Sequence, residues 1–200
     1  MAKIKLTKNE LKKQKDSLKM YRRYLPTLML KKQQLQGEIR QTDLRLKELH
    51  AAKQNLDDAF KSWIGVFGET GFFTKDIITI TSLRTGMGNV AGVSIPIYEG
   101  ADFNIKKYDL LRMPLWMDKA VEAMKQVLEL DLEAKIVEEQ RRRLDKELRT
   151  TTQRVNLFEK VKIPETKNNI KKIQVYLGDQ QTSAVVRGKI AKTGFEKAAK

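Results

Sequence analysis

From Trp116 to Phe158, apolar and small residues recur in steps of four and three. The series is Trp116, Ala120, Ala123, Val127, Leu130, Ala134 and Val137, then, past Arg141, Leu144, Leu148, Thr151, Val155 and Phe158. Such a 3.5-residue repeat is the seam of a left-handed coiled coil, not the broader apolar face of a globular helix. Near Pro164 the phase advances by one residue, and Ile163, Ile170, Ile173 and Leu177 carry it on. Proline removes an amide donor and crowds the preceding turn, so a bend or local unwinding is expected there. A stripe this narrow on a helix this long needs a partner helix, because long helices are held by packing more than by propensity.

The N-terminal quarter supplies that partner. Thr7-Lys8-Asn9-Glu10 reads as a capping box, which starts a helix near Lys8. Its seam runs Leu11, Gln14, Leu18, Tyr21, Leu25, Leu28, Lys32, Leu35, Ile39, Thr42, Leu46, Leu49, Lys53, Leu56, Phe60 and Trp63. Pro26 should kink this helix without ending it, since the seam keeps its phase on both sides. Gly65, Gly68 and Gly71 mark the exit. At 1.5 Å per residue each helix is roughly 85 Å long or more. Pairing them with Trp63 level with Trp116 brings Glu38 near Arg141 and Lys32 near Glu147, charge pairs able to set the register.

Residues 65–113 change character. Ile77-Ile78-Thr79-Ile80-Thr81 is rich in β-branched residues, which favour strands, and Gly86, Gly88 and Gly92 are expected to break the run. Residues 93–98 and 103–108 flank Glu99-Gly100-Ala101-Asp102, a hairpin loop by composition, with a further strand at 77–82. Pro96 confines its strand to an edge. Pro114 suits the first turn of the second helix. The expected fold is mainly α: a long antiparallel two-helix left-handed coiled coil with a small β-hairpin head between the helices. It forms one elongated domain, divided as 1–64 for the first helix, 65–113 for the head, 114–178 for the second helix and 179–200 for a basic extension.

Charge is unevenly placed. Residues 1–40 carry net +9 and residues 161–200 net +6, whereas 41–160 hold nineteen residues of each sign. Antiparallel pairing brings the two basic ends together as one tip. The tip is either aimed at a negatively charged partner or is a solvated lysine-rich surface. The residues that would form it as a partner interface are Lys3, Lys5, Lys8, Lys12 and Lys13 with Arg187, Lys189 and Lys192. No cysteine is present, no apolar run reaches the ~18 residues of a membrane span, and no signal-peptide core follows the first lysines.

Catalytic chemistry is scarce. The glycines of 86–92 precede strand-like residues, so a turn is favoured over a phosphate cradle. His50 has no second histidine or cysteine to complete a metal site, and a surface histidine is the simpler reading. Asp57-Asp58 and Glu138-Glu139 are helix neighbours whose side chains diverge by about 100°. Of Arg141, Arg142 and Arg143, one falls in the seam and the rest make a solvated face. Tyr21, Tyr24 and Tyr176 are too few for a base-stacking platform. The expectation is therefore no catalytic, cofactor or metal residue.

Three segments resemble one family. Residues Arg154-Val155-Asn156-Leu157-Phe158-Glu159, followed by Ile163-Pro164, Ile170, Ile173 and Leu177, resemble the C-terminal signature of the D subunit of V-type (vacuolar/archaeal-type) rotary ATPases. Asn89-Val90-Ala91-Gly92-Val93-Ser94-Ile95-Pro96 is similar to that family's glycine-valine-x-aliphatic-proline segment, with Asn89, Gly92, Val93 and Pro96 as its head-loop positions. Leu6-Thr7-Lys8-Asn9-Glu10-Leu11 and Tyr24-Leu25-Pro26-Thr27 look like the bacterial branch found in chlamydiae. One departure is Gly178-Asp179-Gln180-Gln181-Thr182, where many relatives continue with a Glu/Arg-rich run.

The resemblance implies a non-catalytic central rotor shaft that stands in the hexamer of A and B subunits, binds the F subunit along its side and reaches the membrane ring through the C/d socket. It implies a peripheral protein on the cytoplasmic face, touching the membrane only through the complex, without cofactor or nucleic acid. Two other readings compete: a basic coiled-coil arm for nucleic acid, which needs positive charge along its length, and a generic coiled-coil scaffold, which needs neither a β head nor prolines in both helices.

Overall fold

The computed structural model describes residues 4–61, 77–108, 114 and 116–198. Trp63, Gly65, Gly68, Gly71 and Lys3 lie outside them. The elements are α1 (Lys8–Lys61), β1 (Ile78–Val90), β2 (Val93–Ile105), α2 (Met117–Asn156) and α3 (Ile163–Ala198), with a π-helical turn, Leu157–Lys162, between α2 and α3. The described chain is thus mainly helical with one two-stranded antiparallel sheet. It divides into two compact units: a middle unit, residues 32–150, and a terminal unit made of residues 1–31 and 151–200.

In the middle unit the buried positions of α1 are Leu35, Thr42, Leu46 and Leu49, all of them seam residues. Leu46 and Leu49 pack on Val137, with Leu130 and Ala134 beside them. Asp43 meets Arg141 at 2.6 Å and Lys53 meets Asp131 at 2.6 Å, so rising numbers on α1 face falling numbers on α2 and the two segments run antiparallel. The core contacts of Leu35 with Leu144 and of Leu49 with Leu130 fit the expected register, while Arg141 has another partner than the expected Glu38. Arg141 is exposed and paired with Asp43, five residues beyond Glu38, and the half-buried Gln140 beside it turns to the hairpin, donating to the Pro96 carbonyl. None of the three consecutive arginines is buried: Arg142 and Arg143 both reach back to Glu139, at 2.7 and 2.8 Å.

α2 has a second apolar face that the seam does not account for. Met117 and Val121 join Ile77 and Ile78 in a core that Phe103, Tyr108, Trp116, Met124 and Leu128 surround. Farther along, Ile95 is buried with Leu35 and Leu144, and Val90, Ala91, Val93, Ile39 and Leu148 close over them. The hairpin therefore lies along α2 from its first turn to Leu148, where a small terminal head was expected. α2 starts at Met117, whose amide donates to the Pro114 carbonyl at 3.0 Å, so Pro114 precedes the helix and is not in its first turn.

The hairpin itself differs from the expected one. β1 and β2 pair from Ile78↔Ile105 to Val90↔Val93, and the chain reverses at Ala91-Gly92. Both turn residues have positive φ, 49° and 80°, as a two-residue hairpin turn requires. Residues 99–102 are inside β2. Gly100 has φ 141° and faces the register shift between Arg84 and Thr85, so this glycine serves a bulge, not a turn. The segment expected as a third strand is the start of β1. Gly86 and Gly88 do not break β1; the side chains of Glu99 and Ile97 cross the space a Cβ would fill.

In the terminal unit, helix α1 begins as the capping box predicts: Thr7 Oγ1 accepts the Glu10 amide at 3.3 Å. The return bond from the Thr7 amide to Glu10 is not formed, and the Glu10 carboxylate accepts from the Gln14 side chain at 2.8 Å. Helix α1 continues through Pro26. Tyr21 meets Phe158 with ring centroids 5.2 Å apart. Thr151, Val155, Thr166 and Ile173 are buried. Where local unwinding near Pro164 was expected, a π-helical turn widens the helix, and the Ile163 amide donates to the Phe158 carbonyl five residues back. Its extra residue is the one-residue phase advance, and it returns Ile163, Thr166, Ile170 and Ile173 to the side of Val155. Beyond Leu177 every residue through Phe195 is exposed, yet α3 remains helical to Ala198 despite Gly188 and Gly194.

Candidate partner interface

All of the net charge lies in the terminal unit. Residues 1–31 and 151–200 contain twenty-one Lys and Arg against six Asp and Glu, a net of +15, while 32–150 contain nineteen of each. The boundary set by packing therefore separates charge as cleanly as the boundaries drawn on the sequence.

Within this unit a groove runs between the start of α1 and the region around the π-helical turn. Ile4, Lys5, Leu6, Glu10, Lys13 and Gln14 line one side, and Lys160, Val161, Pro164, Glu165, Asn169 and Lys172 the other. Its floor is apolar and its rim carries four lysines against two glutamates. Lys5, Lys8, Lys12 and Lys13, named from sequence, are all exposed, and two of them border this groove. Arg187, Lys189 and Lys192 are also exposed but do not line it. They follow Lys172 by fifteen residues or more, roughly 22 Å along a helix at 1.5 Å per residue. The sequence reading missed Lys160 and Lys172; counting helical positions on either side of Pro164 would have found them.

In the middle unit the head-loop residues have separate tasks. The Asn89 side-chain oxygen accepts the Gly92 amide at 3.0 Å and fixes the turn. Val93 packs beside Leu35 and Leu144. The Pro96 carbonyl accepts a hydrogen bond from Gln140 at 2.5 Å, and the Ser94 carbonyl accepts one from Arg143 at 3.2 Å. These two bonds fasten β2 to α2 and are not legible from sequence spacing. Two bridges between α1 and α2 raise the pKa of their cations. Lys53 is raised chiefly by its hydrogen bond to Asp131, and Arg45 by its hydrogen bonds to Glu133 and Glu48. Glu139 is held at about 2 by hydrogen bonds from Arg142 and Arg143.

His50 is exposed beside Glu138, Arg141, Arg142, Asp145 and Arg149. Those arginines are already engaged: Arg141 with Asp43, Arg142 with Glu139 and Arg149 with Asp145. Among the described residues no three His, Cys, Asp or Glu side chains converge as a metal site, and no helix is long and apolar enough to cross a membrane.

Comparison with known proteins agrees over nearly the whole chain. The family profile described as the D subunit of ATP synthase matches residues 10–193. A protein of Borreliella burgdorferi, named as the D subunit of V-type ATP synthase, is 51% identical over 197 residues, covering 98% of this chain and 97% of its own. Proteins of the same name from Chlamydia muridarum and Chlamydia pneumoniae are each 34% identical, covering 94% and 96% of this chain and 94% and 93% of theirs.

Proposed function

Because the chain belongs to the family of ATP synthase D subunits, we propose that it is the central rotor-stalk component of a V-type ATP synthase or ATPase. In this reading it transmits torque between the catalytic A/B hexamer and the membrane ion-translocating ring. It carries no catalytic group and needs no cofactor. Its partners are the A and B subunits, the F subunit and the C/d socket, and it lies on the cytoplasmic face, held to the membrane only through them. The helix pairs supercoil left-handedly; the 3.5-residue spacing of the buried positions supports this.

The observation that carries the reading, beyond family membership, is the confinement of net charge to the unit holding both chain ends. That unit docks in the hexamer, with Lys3, Lys5, Lys8, Lys12, Lys13, Arg187, Lys189 and Lys192 facing acidic or polar surface. The F subunit binds the neutral middle unit. Diffuse attraction between exposed charges is long-ranged and tolerates rotation, whereas interlocked contacts at a bearing resist it. A nucleic-acid arm would need positive charge along the middle unit, where the net is zero.

Tagged protein should co-purify the A, B and F subunits. Reversing Lys5, Lys8, Lys12 and Lys13 to glutamate should weaken docking to purified A/B hexamer and leave F binding intact, with the loss mimicked by raising salt. Hexamer docking that ignores both the reversal and the salt would show the lysines to be only a solvated surface.

A further inference from the structure

We propose that the helix pair of the terminal unit has a flexible joint at the level of Tyr21 and Phe158, made by a weakness in each helix at the same height. The ring contact between these residues, with centroids 5.2 Å apart, sets the level. In α1, Pro26 has no amide to give to the carbonyl of Arg22, the residue after Tyr21, and its ring crowds that turn. In the facing helix the π-helical turn begins at Leu157, and the Ile163 amide reaches back to the carbonyl of Phe158 itself. Pro164 follows at once and has no amide to continue the ladder. Prolines and π-helical turns are among the few places at which helices bend sharply.

Packing is thin at the same height. No residue of α1 before Leu35 is buried. In the facing helix none is buried from Asn156 to Glu165, although Thr151 and Val155 are buried before that stretch and Thr166 and Ile173 after it. The polar contacts nearby stay within one helix: Thr27 Oγ1 donates to the Tyr24 carbonyl at 2.8 Å, Thr166 Oγ1 donates to the Lys162 carbonyl at 2.6 Å, and Lys162 pairs with Glu165 at 3.5 Å. Two helices held side by side bend only where both yield, because an intact helix splints a weakened one. The phase advance accounts for one extra residue in one helix; it does not call for a proline in the other. Pro26 is exposed, so filling the seam does not call for it either. The coincidence of the two weak points makes the joint. It lets the lysine-rich chain ends change direction while the buried layers on either side of it stay packed, and it belongs to the chain by itself, whatever the terminal unit meets.

The test uses pairs of spin labels on the free chain, which has no cysteine of its own. Arg154→Cys with Lys171→Cys, both exposed, spans the π-helical turn. Gln126→Cys with Lys146→Cys, also exposed, spans a longer regular stretch of α2 and is the control. The distance distribution across the turn should be roughly twice as wide as the control or wider, since the bend is concentrated there. Pro26→Ala gives α1 its missing amide and changes no residue of the labelled helix, yet it should narrow the distribution across the turn toward the control width. Alanine favours the helix, so this variant keeps the fold. Deleting Lys160 together with Pro164→Ala, which repairs the other helix, should narrow it as well. Equal widths for the two label pairs in the parent chain would overturn the proposal. So would a wide distribution that Pro26→Ala leaves unchanged, because the turn would then be a local irregularity of one helix and no joint of the pair.

Discussion

Leu144 is the residue on which the middle unit should depend most. It is 1% exposed and lies with Leu35, 0% exposed, and Ile95, 8% exposed, where α1, α2 and the hairpin tip meet. Leu144→Ala removes three carbons from a site walled by three separate elements. Those elements have their own hydrogen-bonded backbones and cannot all collapse into the gap. A Leu→Ala change at such a site costs roughly 2–5 kcal/mol, and the upper half applies where the walls are rigid. We expect about 3.5 kcal/mol. For a chain of this size that lowers Tm by roughly 7–14 °C, at 2–4 °C per kcal/mol. Urea unfolding followed by circular dichroism measures the first quantity, and a thermal melt the second. Leu44→Ala is the control: Leu44 is 59% exposed on the same bundle and should lose less than about 0.5 kcal/mol. A Leu144→Ala loss no larger than the Leu44→Ala loss would refute the reasoning, because it would mean that the hairpin tip does not seal this core.

Three further outcomes follow from the same geometry. Glu139 has its pKa depressed to about 2 by Arg142 and Arg143, so its contribution is complete above the ordinary carboxylate range and disappears as pH falls from about 5 to 2; Glu139→Gln should flatten that part of the Tm–pH curve slightly, by an amount that salt reduces further. Deleting Lys160 together with Pro164→Ala should replace the π-helical turn by regular helix and keep Ile163, Thr166, Ile170 and Ile173 in phase with Val155, leaving stability within about 1 kcal/mol of the parent, whereas deleting Lys146 from the regular part of α2 should cost several times that by rotating every later seam residue off its face. His50→Ala should leave ATP turnover of the assembled enzyme within about twofold, since exposed substitutions have small effects, and a hundredfold loss with assembly intact would assign His50 a role the structure does not suggest.

The helical part of this fold was legible because a seam is a repeating local code. Each of Leu35, Leu46, Leu49, Val137, Leu144 and Val155 could be placed from its neighbours three and four residues away, and all are buried. The phase advance near Pro164 was legible for the same reason, although its form, a π-helical turn, follows from proline sterics and hydrogen bonding together. The hairpin was misread because its turn lacks the usual residues. Ala91 takes positive φ where asparagine or glycine is usual, while Gly100, which looks like a turn residue, is spent on a bulge. The second apolar face of α2 was missed because it repeats over only part of the helix, opposite the hairpin. Gln140 and Arg143 could not be singled out at all, since their partners are main-chain carbonyls more than forty residues away in sequence.

The charge distribution has a different standing from the seam. Burying Leu46 or Ile173 requires no lysine anywhere, and the middle unit shows that the same helical pattern works with charges in balance. Placing a net of +15 in the terminal unit alone adds self-repulsion to a structure whose described core there is narrow. Fold stability therefore does not account for it. Lysines at Lys5, Lys13, Lys160 and Lys172 converge on one groove from segments nearly 150 residues apart in sequence, so the concentration of charge is not a run of similar residues carried along by composition. A surface that works against its own fold in this way fits the docking proposed above, in which an acidic or polar partner would offset the repulsion.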